Sequence, residues 1–152
     1  MADSDSTRRR KIVVGVDGSA AAEHALRWAV WEASLHGDEI EAIAVREQED
    51  LLPGTSYTFQ PYGRRPVADD EGARAYLHTA VNAVTTDVPV VETVRAGDPA
   101  TELIKASASA DMLVVASHHH GRFAEVLLGS TSAECVRHAQ CPVVVIPTTL
   151  IR

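Results

Sequence analysis

An aspartate, Asp17, directly follows an apolar run and directly precedes residues that favour the start of a helix. The run is Ile12–Val16, and the residues that follow are Gly18 and Ser19. A carboxylate at the end of a buried strand can accept hydrogen bonds from backbone N–H groups, or it can bind the ring or ribose of a ligand. A helix-capping role for Asp17 explains the same pattern, so this motif leaves both roles open.

A second candidate site lies late in the chain, where Gly129-Ser130-Thr131 opens a predicted helix. Gly129 lets the backbone come close to a ligand, and the N–H groups of the following residues point out of the positive end of the helix. These features suit a phosphate group. An ordinary serine cap is the alternative interpretation.

Three consecutive histidines, His118, His119 and His120, follow the fourth apolar run of the chain. Adjacent histidines on an extended loop point in alternating directions, so one ion would rarely receive all three. The spacing of the other histidines does not suggest a zinc site either. We therefore expect no metal site.

The elements that must position these motifs are five apolar, β-branched runs separated by helical patterns. Four of the runs are nearly continuous, which is typical of parallel strands covered on both faces, and the second, which alternates, is expected nearer an edge. Strict alternation of strands and helices predicts an α/β fold with a doubly wound parallel sheet. The runs are Lys11–Val16, Ile40–Val45, Val90–Val94, Met112–Ala116 and Val143–Ile146.

The predicted helices have recognisable ends. Ser19 caps the first and Gly37 ends it. The second is expected over residues 68–86, the third begins with Asp98 as its cap, and the fourth covers about residues 130–139.

The chain has 152 residues, the size of one domain, and we expect a disordered tail over residues 1–10 and a single domain over residues 11–149. Its formal net charge is −7, which disfavours binding to nucleic acid. The basic cluster Arg8–Lys11 is interpreted as a solvated tail, with a nucleic-acid arm as the alternative.

Apolar runs in this sequence are too short for a membrane span or a signal peptide, so we expect no membrane association and a cytoplasmic location. Cys135 and Cys141 are too few for a disulfide framework and are expected to be reduced thiols.

Enzyme motifs are missing from the sequence. It has no G-x-S-x-G nucleophile turn and no Walker loop, and Gly15–Ser19 does not match the G-x-G-x-x-G of dinucleotide sites. A phospho-receiver domain would need an aspartate after the third strand and a lysine after the fifth. Arg95-Ala96 and Ile146-Pro147 stand at these positions, so this class of protein is excluded. We expect no catalytic residues and no enzymatic function.

The long irregular segment 48–67 contains Tyr57, Phe59 and Tyr62, which are apolar surfaces that should be buried somewhere. A connection of this length is either a functional lid or partner site, or a variable surface loop. Both interpretations stay open.

Three segments carry a resemblance to a known family: residues 12–19 (IVVGVDGS), residues 97–100 with 110–115 (GDPA and ADMLVV), and residues 127–145. In order and spacing they resemble the universal stress protein family. The resemblance implies a five-stranded sheet in the order 3-2-1-4-5, an adenine nucleotide alpha hydrolase-like (Rossmann-like) fold, and a dimer. Some members bind ATP through the pattern G-x2-G-x9-G-[ST].

Carried over by position, the resemblance implies an adenine-nucleotide cleft for ATP or another adenine nucleotide with Mg²⁺. The first strand and the end of the second would hold the adenosine, and the glycine loop and last helix would hold the phosphates. The candidate nucleotide-binding residues are Asp17, Gly18, Val45, Ser117, Gly121, Gly129, Ser130 and Thr131.

The sequence departs from the family pattern in the glycine loop. Counting back from Gly129, the two earlier glycines fall on Ala116 and His119, and Gly121 is not in register with either. Glycine supplies positive φ and room for a phosphate. Either the loop no longer binds triphosphate, or Arg122 and a partly protonated histidine neutralise the phosphates instead.

The last predicted strand, Val143–Ile146, is apolar on both faces and lies at an edge if the implied strand order holds. The resemblance implies that it pairs with a second copy across a two-fold axis, whereas Pro142 and Pro147 could simply protect the edge. The function expected is a stress-response regulatory protein with a degenerate nucleotide site. The alternative is a dimeric interaction protein that works without nucleotide.

Overall fold

The computed structural model describes residues 8–47, 69–117 and 128–147, and within them strands alternate with helices. The strands are β1 (Lys11–Gly15), β2 (Glu39–Glu47), β3 (Val90–Gly97), β4 (Met112–Ser117) and β5 (Val143–Pro147). The helices are α1 (Ala20–His36), α2 (Asp70–Asn82), α3 (Pro99–Ser107) and α4 (Ser130–His138).

All five strands form one parallel sheet in the order β3-β2-β1-β4-β5. This confirms the α/β fold class and the strand order. The order reverses beside β1, which pairs with β2 on one side and with β4 on the other. The chain therefore winds outward from β1 in both directions.

Local capping determines where the helices begin. The Ser19 hydroxyl accepts a hydrogen bond from Ala22 N at 3.1 Å, and Gly37 ends α1 at φ 69°. Asp98 caps α3 by accepting from Thr101 N at 3.0 Å, with Pro99 at the first position, where its missing N–H costs little. These predicted ends are confirmed.

The second helix is shorter than the predicted 68–86, because it begins after Asp69 and ends at Asn82. Asp69 accepts from Gly72 N at 2.8 Å and is the cap. Beyond the helix, the Thr86 hydroxyl accepts from Val88 N at 3.0 Å. Such local side-chain bonds favour a turn over continued helix, which explains the earlier end.

Two apolar clusters lie on opposite faces of the sheet, since consecutive β1 residues point in opposite directions. Val14 belongs to the cluster shared with α1 and α2, and Val13 belongs to the cluster shared with α3 and α4. Burying each large aliphatic side chain contributes about 1.5–3 kcal/mol. The fully buried large residues include Ile12, Leu26, Ile40, Ile43, Leu77 and Leu113.

The sheet edges are less covered than the continuous apolar runs predict. In β3, Val91 is 60% exposed, because only β2 flanks this strand and the helices reach it partially. In β5, four of the five residues are half-buried. The expectation of strands covered on both faces holds for the central strands β1 and β4 but is wrong for β3.

Acidic side chains engage the basic residues before and in β1. Arg10 forms a bidentate ion pair with the buried carboxylate of Asp38. Its Nε donates to Oδ1 at 3.1 Å and its Nη2 donates to Oδ2 at 2.7 Å. This hydrogen bonding, followed by the charge of Asp38, raises the pKa of the Arg10 guanidinium. Arg8 lies 3.5 Å from Asp111, whose carboxylate also accepts from the Lys11 amide at 2.8 Å. These contacts anchor the start of the central strand.

Both cysteines are free thiols, as predicted. Cys135 is buried in the cluster under α4, and this burial raises its pKa to about 11. The Cys135 thiol therefore remains protonated at neutral pH.

Candidate functional site

The candidate site lies at the carboxyl ends of β1 and β4, where the strand order reverses. Open α/β sheets form a crevice at this kind of position. Val14 pairs with Val114 in register, and Asp17 and Ser117 each follow that pair by three residues. Two of the predicted site residues therefore lie at neighbouring strand ends.

Asp17 is exposed and is held against the start of α1. Its Oδ1 accepts hydrogen bonds from Ser19 N at 3.0 Å and from the Ser19 hydroxyl at 2.5 Å. Ser19, rather than Asp17, is the residue that caps α1. Asp17 therefore does not cap α1 itself. Its carboxylate binds the capping residue, Ser19, and holds it in place.

Gly18 turns the chain from β1 into α1 at φ 85°, a conformation that side chains rarely adopt. A Cβ at this position would lie 3.5 Å from Tyr76 Cγ. The tyrosine comes from α2 and is half-buried beside the turn. Burial, and then the charges of Asp17 and Glu47, raise the pKa of the Tyr76 phenol.

Sequence reasoning missed Tyr76. The residue lies in a predicted helix between core residues Ala73 and Leu77, and no motif distinguishes it there. Only the packing of α2 onto the strand ends brings its ring to Gly18. A tyrosine flanking the core positions of a helix that must reach this edge is the weak signal that could have indicated it.

The backbone of Val45 is directed toward the end of β1. Val16 N donates to Ile43 O at 2.8 Å, so the polar backbone groups of Ile43 face β1. These groups alternate in direction along a strand, so the N–H and C=O of Val45 face the same side. Since β1 ends at Gly15, they face the space beyond its tip.

Cations near the strand ends lie in ion pairs. Arg46 bonds to Asp70 at 2.6 Å, and Arg95 lies 3.6 Å from Glu102. The described part of the chain contains no group of three or more His, Cys, Asp or Glu side chains suited to a metal ion.

The start of α4 differs from the other helix starts in the described residues. Gly129 is its N-cap, at φ −60° and ψ 164°, and contributes no side-chain bond, whereas Ser19, Asp69 and Asp98 each accept one. Ser130 and Thr131 occupy the first two helical positions, and their N–H groups point toward the carboxyl edge of the sheet.

The glycine-loop positions fall partly in regular structure. Ala116 lies in β4 and pairs with Ile146, so a glycine there would give room for a ligand rather than a positive φ. Ser117 is buried and ends the strand. Gly121 and His119 lie outside the described residues, as do the segment 48–67 and Arg122.

Comparison with known proteins identifies the family. The model of the universal stress protein family matches residues 8–147. The chain belongs to the universal stress protein family.

Several curated family members from mycobacteria are similar to this chain in sequence. Universal stress protein Rv2028c of Mycobacterium tuberculosis (strain ATCC 25618 / H37Rv) is 35% identical over 143 residues, covering 94% of this chain and 50% of the relative. Rv3134c of the same strain is 37% identical over 150 residues, with the same two coverages. The chain thus spans about half the length of the curated relatives it matches.

Solved structures of family members share the fold. A crystal structure of a universal stress protein in complex with cAMP has a TM-score of 0.66 at 23% identity, covering 92% of this chain and 98% of that one. An Archaeoglobus fulgidus member in complex with dAMP has a TM-score of 0.62 at 20% identity, covering 91% and 98%. At these identities the likeness supports the Rossmann-like fold alone.

Residues 8–47, 69–117 and 128–147 include no helix with the length and apolar character needed to cross a bilayer.

Proposed function

We propose that this member of the universal stress protein family binds an adenine nucleotide at the carboxyl ends of β1, β2 and β4. The backbone of Val45 is the observation that carries the proposal. Its N–H and C=O face the space beyond the β1 tip and offer one donor and one acceptor. Adenine presents the complementary pair, N1 as acceptor and its amino group as donor. Asp17 then lies within the same space to hydrogen-bond the ribose.

The phosphates in this proposal lie against the start of α4. The N–H groups of Ser130 and Thr131 have no side-chain acceptor from Gly129, and a phosphate would satisfy them and complement the helix dipole. Structures of family members in complex with cAMP and dAMP, and one with AMP bound, support this ligand class.

Ligands with few phosphates suit this site better than ATP with Mg²⁺. Ala116 and His119 replace the glycines that would give a triphosphate room, and Gly121 is out of register. Arg46 and Arg95 already have carboxylate partners and are poorly placed to neutralise extra charge. In this proposal the protein is a cytoplasmic regulator that senses a nucleotide and does not turn it over.

Isothermal titration with AMP, ATP plus Mg²⁺, and GMP tests the proposal. AMP should bind, ATP more weakly, and GMP least, because guanine reverses the donor and acceptor that face Val45. Asp17→Ala should weaken AMP binding about tenfold, the loss of a hydrogen bond to a charged group.

Asp87→Ala is the matched control, because this exposed aspartate precedes β3 at the opposite edge of the sheet. It should leave AMP affinity unchanged. Absence of AMP and ATP binding at millimolar concentration would refute the proposed function.

A second candidate function is a nucleotide-independent interaction protein that dimerises through β5. The half-buried valines of this edge strand, Val143, Val144 and Val145, favour it, since an unpaired strand edge is adhesive. Val144→Lys should then convert a ligand-free dimer into a monomer in sedimentation velocity. A monomeric wild-type protein at micromolar concentration would contradict this alternative.

A further inference from the structure

Tyr76 of α2 lies beside Gly18, in the turn that ends β1. A Cβ added to Gly18 would lie 3.5 Å from Tyr76 Cγ and 3.7 Å from Cδ2, so the space between the turn and the ring is about the size of one carbon atom. The tyrosine is only half-buried. Part of its surface therefore remains available at the strand ends.

The tyrosine lies at the tip of β1, on a helix that packs against β2. Its neighbour Gly18 directly follows Asp17 at the end of β1. The space beyond the β1 tip, which the backbone of Val45 faces, is bounded by the same two strands. Tyr76 is thus placed beside the space assigned above to the adenosine.

The helix that carries the Tyr76 ring is fixed to the rest of the domain. Ala73 and Leu77, on either side of Tyr76 in α2, are buried in the core. At the start of the helix, Asp70 bonds to Arg46 of β2 at 2.6 Å. A ring held on a rigid, anchored helix offers a preformed surface and loses little freedom on binding.

We infer that Tyr76 binds the adenosine part of the nucleotide, with its ring forming one wall of the space beyond the β1 tip. This inference rests on the proposed function. An aromatic ring recognises a purine by stacking or edge contact and is indifferent to the number of phosphates. The contribution of Tyr76 should therefore be the same for adenosine, AMP and ATP.

Isothermal titration of wild type, Tyr76→Phe and Tyr76→Ala with these three ligands tests the inference. Tyr76→Ala should weaken the binding of each by about tenfold, the scale of one aromatic–base contact. Tyr76→Phe retains the ring and should bind within about twofold of wild type. Urea unfolding of Tyr76→Ala shows that this variant is folded under the conditions of the titration. Trp31→Ala, which removes an exposed aromatic from α1, is the matched control and should have no effect.

The outcomes separate the inference from the proposed function. If wild type binds AMP and Tyr76→Ala binds it equally well, the inference is overturned and the proposed function stands. A loss for Tyr76→Ala that grows with the number of phosphates also overturns it, since the residue would then act at the phosphate end. If wild type binds none of the three ligands, both fail.

Discussion

The carboxylate of Asp17 accepts hydrogen bonds from both the amide and the hydroxyl of Ser19, whose own oxygen accepts from Ala22 N. A site residue and a helix cap are thereby parts of one short network. The network holds the Asp17 carboxylate at the start of α1, so its orientation depends on the helix being formed.

We predict that Ser19→Ala lowers the free energy of unfolding by about 1 kcal/mol, since it removes the hydroxyl that accepts from Ala22 N and caps α1. Ser34→Ala is the control, because the Ser34 hydroxyl donates to Trp31 O within the same helix and caps nothing. Urea unfolding measures both. Equal effects of the two substitutions would contradict the capping role.

Gly15 ends β1 where it passes close to α3, and we predict that Gly15→Ala costs about 1–3 kcal/mol. A Cβ there would lie 2.9 Å from Leu103 Cδ1, closer than side chains tolerate. Leu103→Ala should make room for it, so the double variant should be less destabilised than the sum of the single variants. Additive unfolding free energies would show that the two residues do not interfere.

Asp38 is almost fully buried and bonds to Arg10 with both oxygens, and we predict that Asp38→Ala costs about 2 kcal/mol. Glu134→Ala removes exposed contacts with Arg137 and His138, both at 3.5 Å, and should change stability by less than about 0.5 kcal/mol. Thermal and urea unfolding report both values. A loss of stability for Asp38→Ala as small as that of the Glu134→Ala control would contradict the conclusion that this ion pair anchors β1.

Burial of Cys135 predicts a pH dependence of stability. The thiol has an ordinary pKa of 9.0 when unfolded and about 11 in the folded protein. The unfolded state therefore loses its proton first as pH rises. The contribution of the Cys135 thiol to the free energy of unfolding is complete below pH 9.0 and is lost between pH 9.0 and about 11. Urea unfolding across this range should show a shallower decline for Cys135→Ala than for wild type, whereas identical slopes would refute the assignment.

The sequence by itself determined the alternation of strands and helices, the helix caps at Ser19 and Asp98, and the family. These features are local: each depends on apolar periodicity or on a side chain that bonds within three residues of itself. The strand order came from the resemblance and not from periodicity, and the sheet confirms it.

Tertiary structure alone decided which distant residues meet. Three features depend on how separate elements pack together: the position of Tyr76 beside Gly18, the pairing of Arg10 with Asp38, and the direction of the Val45 backbone. It also decided that α2 ends at Asn82 and that Val91 in β3 is exposed. Local pattern cannot specify such contacts, because they depend on which elements pack together in the folded sheet, which residues nearby in sequence do not reveal.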